Sequence, residues 1–157
     1  LVGDMWRFVR YVGSRPTNPA LGTARLGLKP AMLTRVGDEH MGRFIRETME
    51  AEGVDTRQVI TDPHRLTAMV LLGIQDKEHF PLIFYRENCA DMGLCEDDID
   101  PDFISQAGAV LVSVTHLSTP SVAAASHKAM KLARAIGSQV VLDIDYRPIL
   151  MHLAWLC

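Results

Sequence analysis

Cysteine is scarce, with Cys89, Cys95 and Cys157 the three among 157 residues. An odd number at no zinc-ligand spacing favours free thiols in a reducing cytoplasm. The six histidines are scattered singly and none pairs with another His or a Cys at ligand spacing, so no metal cage is expected. Long apolar runs are also missing. A stretch such as Ala107 to Val114 is far too short to cross a bilayer, and no membrane association is expected. The formal charge of −3 gives no reason to expect nucleic acid or an anionic membrane as partner. No Gly-x-Gly-x-x-Gly follows a strand, which sets aside a dinucleotide-binding domain. With no charged leader before an apolar segment, the expectation is a cytoplasmic protein. Leu1 stands where an initiator Met would, as in a fragment or a processed product.

What is present is ordinary globular composition, 48% hydrophobic and 22% charged, enough to build one domain with a core. Trp6 to Val12 mixes aromatic and β-branched residues and reads as a partly exposed strand. Gly13-Ser14-Arg15-Pro16 breaks it, Asn18 is a good helix cap, and Pro19 to Leu26 reads as a helix stopped by Gly27. Ala31 to Val36 is a buried-type strand closed by Gly37-Asp38. Phe44, Ile45, Thr48 and Met49 share one side of a helix from about His40 to Glu52. A short strand, Arg57 to Ile60, precedes two longer candidates, Thr67 to Ile74 and Phe80 to Arg86. The polar residues 75–78 between those two suggest a β-hairpin.

Glu96 to Asp100 reads as a solvated loop, because the alternating oxygen ligands and the Gly of a calcium loop are missing. Pro101 to Gln106 is a short helix and Ala109 to Val114 a buried strand. A helix capped by Ser118 or Thr119 reaches Ile136, and Val140 to Ile144 is a third buried strand. Continuous apolar strands separated by helices imply a parallel sheet covered on both faces, with hairpin material beside it. In such α/β folds ligands bind beyond the carboxyl ends of the strands.

Three groups of residues there could carry chemistry. The Gly13 to Asn18 loop leads into a helix N-terminus, where free N–H groups attract anions or hydroxyl oxygens, although a capped glycine turn is also a common structural device. Arg86, beside Tyr85, and Arg147 each follow a strand. Two guanidinium groups converging on one cleft suit a carboxylate, while surface salt bridges are the plainer reading. Asp143 and Asp145 alternate to one face of a strand end. They could orient a basic residue, hold a metal-bound water or cap a helix, and spacing does not choose among these.

Taken together, several stretches resemble one family. Gly13-Ser14-Arg15-Pro16-Thr17-Asn18-Pro19-Ala20, with six residues to Gly27 and nine more to Gly37, is similar to the N-terminal signature of the PfkB, or ribokinase-like, carbohydrate kinases. Val36-Gly37-Asp38-Glu39-His40-Met41-Gly42 resembles that family's glycine turn, and Asp143-Ile144-Asp145-Tyr146-Arg147-Pro148 its Asp-x-Asn-x-Arg strand end. Phe84-Tyr85-Arg86-Glu87-Asn88-Cys89-Ala90-Asp91-Met92 resembles the subgroup that phosphorylates the acid sugar 5-dehydro-2-deoxygluconate at its 6-hydroxyl in myo-inositol breakdown. Kinases acting on 2-keto-3-deoxygluconate share the Tyr-Arg and Asp-x-Asn-x-Arg features and are the alternative subgroup.

The resemblance implies a ribokinase-like three-layer α/β/α core, present in part across residues 1–157, with a small β-sheet lid from strands at about 6–12 and 67–86. It places Gly13, Ser14 and Asn18 at sugar hydroxyls, Tyr85 and Arg86 on the acid sugar from the lid, and Arg147 at its carboxylate, with Asp143 and Asp145 in support. It implies ATP and Mg²⁺ for the whole protein, a sugar acid as the small-molecule partner, and a homodimer through the lid. The family's catalytic base, in a Gly-x-Gly-Asp motif, has no match here, so no catalytic residue is expected in this chain. A non-catalytic, truncated sugar-binding or interaction module is therefore the other reading. Departures from the pattern are Ser14 at the second glycine, Arg15 at a small residue, Asp145 for Asn, and the tail from His152 to Cys157.

Overall fold

A computed structural model describes residues 8–74 and 76–144 of the chain. Trp6, Gln75, Asp145, Arg147 and Cys157 lie outside the described residues. Helix α1 (Thr17–Arg25) starts two residues earlier than Pro19. Pro16 already has helical angles, φ −72° and ψ −33°, because its ring fixes φ where a helix can begin. The N-cap position is Pro16, which makes no side-chain cap, rather than Asn18. Ser14 Oγ lies 2.8 Å from Thr17 Oγ1 and accepts from Thr17 N at 3.4 Å.

Strand β1 (Ala31–Gly37), helix α2 (His40–Ala51) and strand β2 (Asp55–Asp62) form a β-α-β unit. The two strands are parallel, pairing Thr34 with Val59 and Gly37 with Asp62. Strand alternation sends Met32 and Val36 to one face of β1, where they pack with Ala20, Met49, Val54 and Val59 under α1 and α2. Leu33 faces the other way and packs against a second core of Leu94, Ile99, Ile104, Val122, Ala125, Ala129 and Ala133. Strand β1 thus lies between two helical layers, the α/β/α arrangement.

The second core belongs to α3 (Pro101–Ser105), α4 (Pro120–Ala135) and the parallel strands β5 (Ala109–Ser113) and β6 (Gln139–Asp143). Small residues at 125, 129 and 133 recur on one face of α4 and let it approach closely. Val110 and Val140 pack on that face. Their neighbours Leu111 and Val141, paired across the strands, point away and remain 42% and 43% exposed. The expectation of one parallel sheet covered on both faces is met in part. The described residues form two separate parallel pairs, and β5–β6 is covered on one face because no further helix among them lies over the other.

Between these units stands an antiparallel hairpin, β3 (Met69–Leu72) and β4 (Leu82–Tyr85), pairing Met69 with Tyr85 and Leu72 with Leu82. It is shorter than the strands read at 67–74 and 80–86. The strand expected at Trp6 to Val12 is not formed over Phe8 to Val12. A strand needs a paired edge, and β3 and β4 pair only with each other among the described residues. Arg10 instead stacks over the Phe44 ring, 4.3 Å from its centroid.

The acidic stretch Glu96 to Asp100 is not a solvated loop. Asp98 takes two hydrogen bonds from Arg35, at 2.8 and 2.7 Å, Ile99 is buried, and Asp100 caps α3 through Asp102 N. Arg35 also reaches Asp62 at 3.4 Å. Asp62, at the end of β2, is 1% exposed. Its Oδ1 accepts from His64 N and Arg65 N at 2.9 and 3.0 Å, and its Oδ2 from Arg65 Nη1 at 3.1 Å. Burial pushes the Asp62 carboxyl up, but these N–H donors and the Arg65 guanidinium outweigh it and bring it down to about 2.

A depressed carboxyl contributes stability above its unfolded value, and that contribution is lost as pH falls through the folded one. The chain is therefore expected to lose stability in the window from about pH 4 to about pH 2. Asp62→Asn should remove most of that slope and cost about 3 kcal/mol at neutral pH, since the half-exposed Arg65 and the partly buried Arg35 both lose a buried carboxylate partner. Urea unfolding across this pH range measures both.

Candidate functional site

The turn that follows β1 is packed backbone to backbone. A Cβ at Gly42 would sit 2.1 Å from the Gly37 carbonyl oxygen, and one at Gly37 would sit 2.6 Å from the Arg65 carbonyl oxygen. Only glycine permits both approaches. Glu39 caps α2 by accepting from Met41 N at 2.5 Å and Gly42 N at 3.1 Å, and it also accepts from Thr67 N at 3.3 Å. Burial pushes the Glu39 carboxyl up, yet the Thr67 hydroxyl and these N–H groups hold it below the usual range. Thr67 Oγ1 in turn accepts from Gly37 N at 2.9 Å. One leg of the hairpin is thereby tied to the turn between β1 and α2.

The other leg is tied as firmly. Ala90 N donates to Leu66 O at 2.8 Å, and Arg65 Nε donates to Asn88 Oδ1 at 3.1 Å. Asn88 has φ +48°, a left-handed conformation that Asn tolerates better than most residues. A Cβ at Gly93 would meet Arg65 Nη1 at 2.6 Å and Asp62 Oδ2 at 3.0 Å. Glycine there admits the ion pair of the buried Asp62 with the half-exposed Arg65.

A cavity of about 590 Å³ opens between this base and the hairpin. Glu39, Arg65, Thr67, Tyr85 and Arg86 are among its lining residues. Tyr85 is half exposed, and Arg86 is held in an ion pair with Asp91, Nη2 to Oδ2 2.7 Å. The salt bridge that was the plainer reading of Arg86 is present, made to Asp91, which does not line the cavity. Cys89 also lines it. Burial pushes its thiol up and its S–H donates to the Tyr85 carbonyl at 3.5 Å, so it is an inert thiol.

Gly13, Ser14 and Asn18 are exposed and do not line this cavity. Their loop meets a different part of the expected site. Arg15 Nη1 lies 3.9 Å from Asp143 Oδ2 at the end of β6, so of the three roles open for the Asp143 carboxylate, orienting a basic residue is the one seen. Ser14 has φ +152°, a backbone better suited to glycine. Arg147 and Asp145 lie outside the described residues.

Glu39, Arg65, Thr67 and Asp91 were not singled out from sequence. Glu39 carried a signal, an acid just before a helix. Thr67 meets its partners Gly37 and Glu39 about 30 residues away, a separation no local pattern reports. Among the described residues no group of three His, Cys, Asp or Glu could hold a metal ion, and no helix is long and apolar enough to cross a membrane.

Residues 4–156 match the model of the pfkB family carbohydrate kinase. The chain is 41% identical over 142 residues to a 5-dehydro-2-deoxygluconokinase of Geobacillus kaustophilus, an alignment covering 90% of this chain and 42% of that protein. In structure it matches a PfkB protein from Polaromonas sp. JS666 with TM-score 0.81 and 32% identity, over 87% of this chain and 46% of that one. It also matches the ATP complex of an uncharacterized sugar kinase from Pyrococcus horikoshii with TM-score 0.76 and 26% identity, over 88% and 45%. The chain thus spans less than half the length of these relatives.

Gly42→Ala should cost about 3 kcal/mol by forcing α2 off the Gly37 carbonyl. It should also release the hairpin base, so that tryptic cleavage at Arg65 accelerates together with the loss of thermal stability. A fully stable Gly42→Ala protein would contradict this packing.

Proposed function

Since the chain belongs to the pfkB family of carbohydrate kinases, we propose that its whole protein phosphorylates 5-dehydro-2-deoxygluconate at the 6-hydroxyl, with ATP as donor. The observation that carries this reading is the wall of the hairpin cavity, where Tyr85 and Arg86 stand together. A guanidinium offers paired N–H donors that match the two oxygens of a carboxylate, and a phenol hydroxyl can bond a sugar hydroxyl. The 41% identical relative bears the name of this activity, and the ATP complex among the structural relatives supports ATP as the donor.

In this chain the residues bind and orient. Phosphoryl transfer depends mainly on positioning and on electrostatic stabilisation of the phosphates. The hairpin, tied to the core through Thr67 and Ala90, excludes water from one side of the sugar and sets the depth of its carboxylate. Gly13, Ser14 and Asn18 at the start of α1 are assigned to sugar hydroxyls, with Arg147 at the carboxylate and Asp143 and Asp145 in support. Mg²⁺ would enter with ATP and neutralise its phosphates. A second copy is the cover we assign to the hairpin, whose Val70, Leu72, Leu82 and Ile83 are all exposed.

The test is a steady-state assay of the full-length protein with ATP and three acceptors: 5-dehydro-2-deoxygluconate, 2-keto-3-deoxygluconate and a neutral ketohexose. The expected order of kcat/KM follows that sequence. Arg86→Ala should lower kcat/KM for the acid sugars by roughly a hundredfold, about 3 kcal/mol for a lost charge-assisted pair, and hardly affect the neutral one. Equal use of neutral and acid sugars would overturn the reading. The 157-residue chain alone should show no sugar-dependent ATP turnover, and measurable turnover would place the catalytic base within it.

A further inference from the structure

Arg86 leaves β4 where the hairpin returns to the core, and its guanidinium is gripped along one edge only. Nε donates to Asp91 Oδ2 at 2.8 Å and Nη2 lies 2.7 Å from the same oxygen. Both side chains are largely buried, at 14% and 17% exposure, so this pair has fixed geometry instead of the loose contact of a surface bridge. Asp91 does not line the cavity that Arg86 lines. The carboxylate therefore holds Arg86 from outside the cavity and leaves the Nη1 side of the fork without a protein partner among the described residues.

A third group lies beside the pair. His116, on the turn after β5, feels the charges of both Asp91 and Arg86. Its burial pushes the imidazole down, Asp91 pulls it up and Arg86 pushes it down again, with a net lowering. The second Asp91 oxygen, Oδ1, is buried with no hydrogen-bond partner among the described residues. Among the described residues Asp91 thus makes its ion pair with Arg86 through Oδ2 alone.

We propose that Asp91 is a positioning residue, pinning the Nε–Nη2 edge of Arg86 so that its Nη1 edge meets the carboxylate of the acid sugar. This rests on the reading of Arg86 as the carboxylate contact. It assigns selection for acid sugars to two residues, one touching the sugar and one acting behind it. The rival physical role is simple neutralisation, in which Asp91 offsets the charge of Arg86 and weakens its pull on an anion. The two roles predict opposite signs.

The experiment measures KM for 5-dehydro-2-deoxygluconate and for a neutral ketohexose in the full-length protein and three variants. Asp91→Asn is expected to raise KM for the acid sugar about tenfold, with the loss in KM rather than kcat and little change for the neutral sugar. Asp91→Glu, which keeps the charge but shifts its position, should give a smaller rise. An unchanged or lowered acid-sugar KM in Asp91→Asn would overturn positioning in favour of neutralisation. If Asp91→Asn does not fold, Asp91→Glu decides alone: a raised acid-sugar KM supports the proposal and an unchanged one overturns it. Arg86→Ala separates the two claims. A raised acid-sugar KM there with no effect at Asp91 overturns only the positioning role, whereas no effect at Arg86 overturns the carboxylate reading and this proposal with it.

Discussion

The buried carboxylate of Asp62 is the constraint on which the architecture turns. It stands at the last residue of β2, paired in register with Gly37 at the last residue of β1. From there its two oxygens collect the N–H groups of His64 and Arg65 and the guanidinium groups of Arg65 and Arg35. Arg65 continues to Asn88 on the returning leg of the hairpin, and Arg35 continues to Asp98 beneath the second core. A carboxylate so deeply buried would be costly alone. With two guanidinium groups and two backbone donors it instead fixes where the hairpin leaves the core and where it returns.

That knot explains why the candidate site lies at the hairpin base more than at a strand end. Glu39, Thr67 and the glycines at 37 and 42 bind the outgoing leg, while Ala90 and Asn88 bind the returning one. Between the two legs the hairpin touches little, and its apolar side chains stand exposed on both faces. The arrangement is firm at the base, a fixed pivot, and open above. The Leu111–Val141 face of β5–β6 is the other open apolar surface, and it too gains stability only when covered.

Much of this was legible in the residues. Strands β1 and β5 and helix α2 fall within a residue or so of their apolar patterns, since buried periodicity is a strong signal. Helix α1 was displaced because Pro16 starts it, so a good capping residue at Asn18 misled. Phe8 to Val12 has strand composition without a partner, and composition cannot supply one. The acidic run at 96–100 looked solvated because nothing local announces Arg35, 63 residues away from Asp98. Long-range ion pairs of that kind emerge only when the chain is folded.

Amide hydrogen exchange on the 157-residue chain tests the central claim most directly. If the Asp62 knot fixes the pivot, the amides of Gly37, His64, Arg65, Thr67 and Ala90 should be protected together, while the β3 and β4 amides exchange faster. All five should lose protection together in Asp62→Asn. Independent exchange of these amides, or their protection persisting without the Asp62 carboxylate, would show that the hairpin is anchored elsewhere.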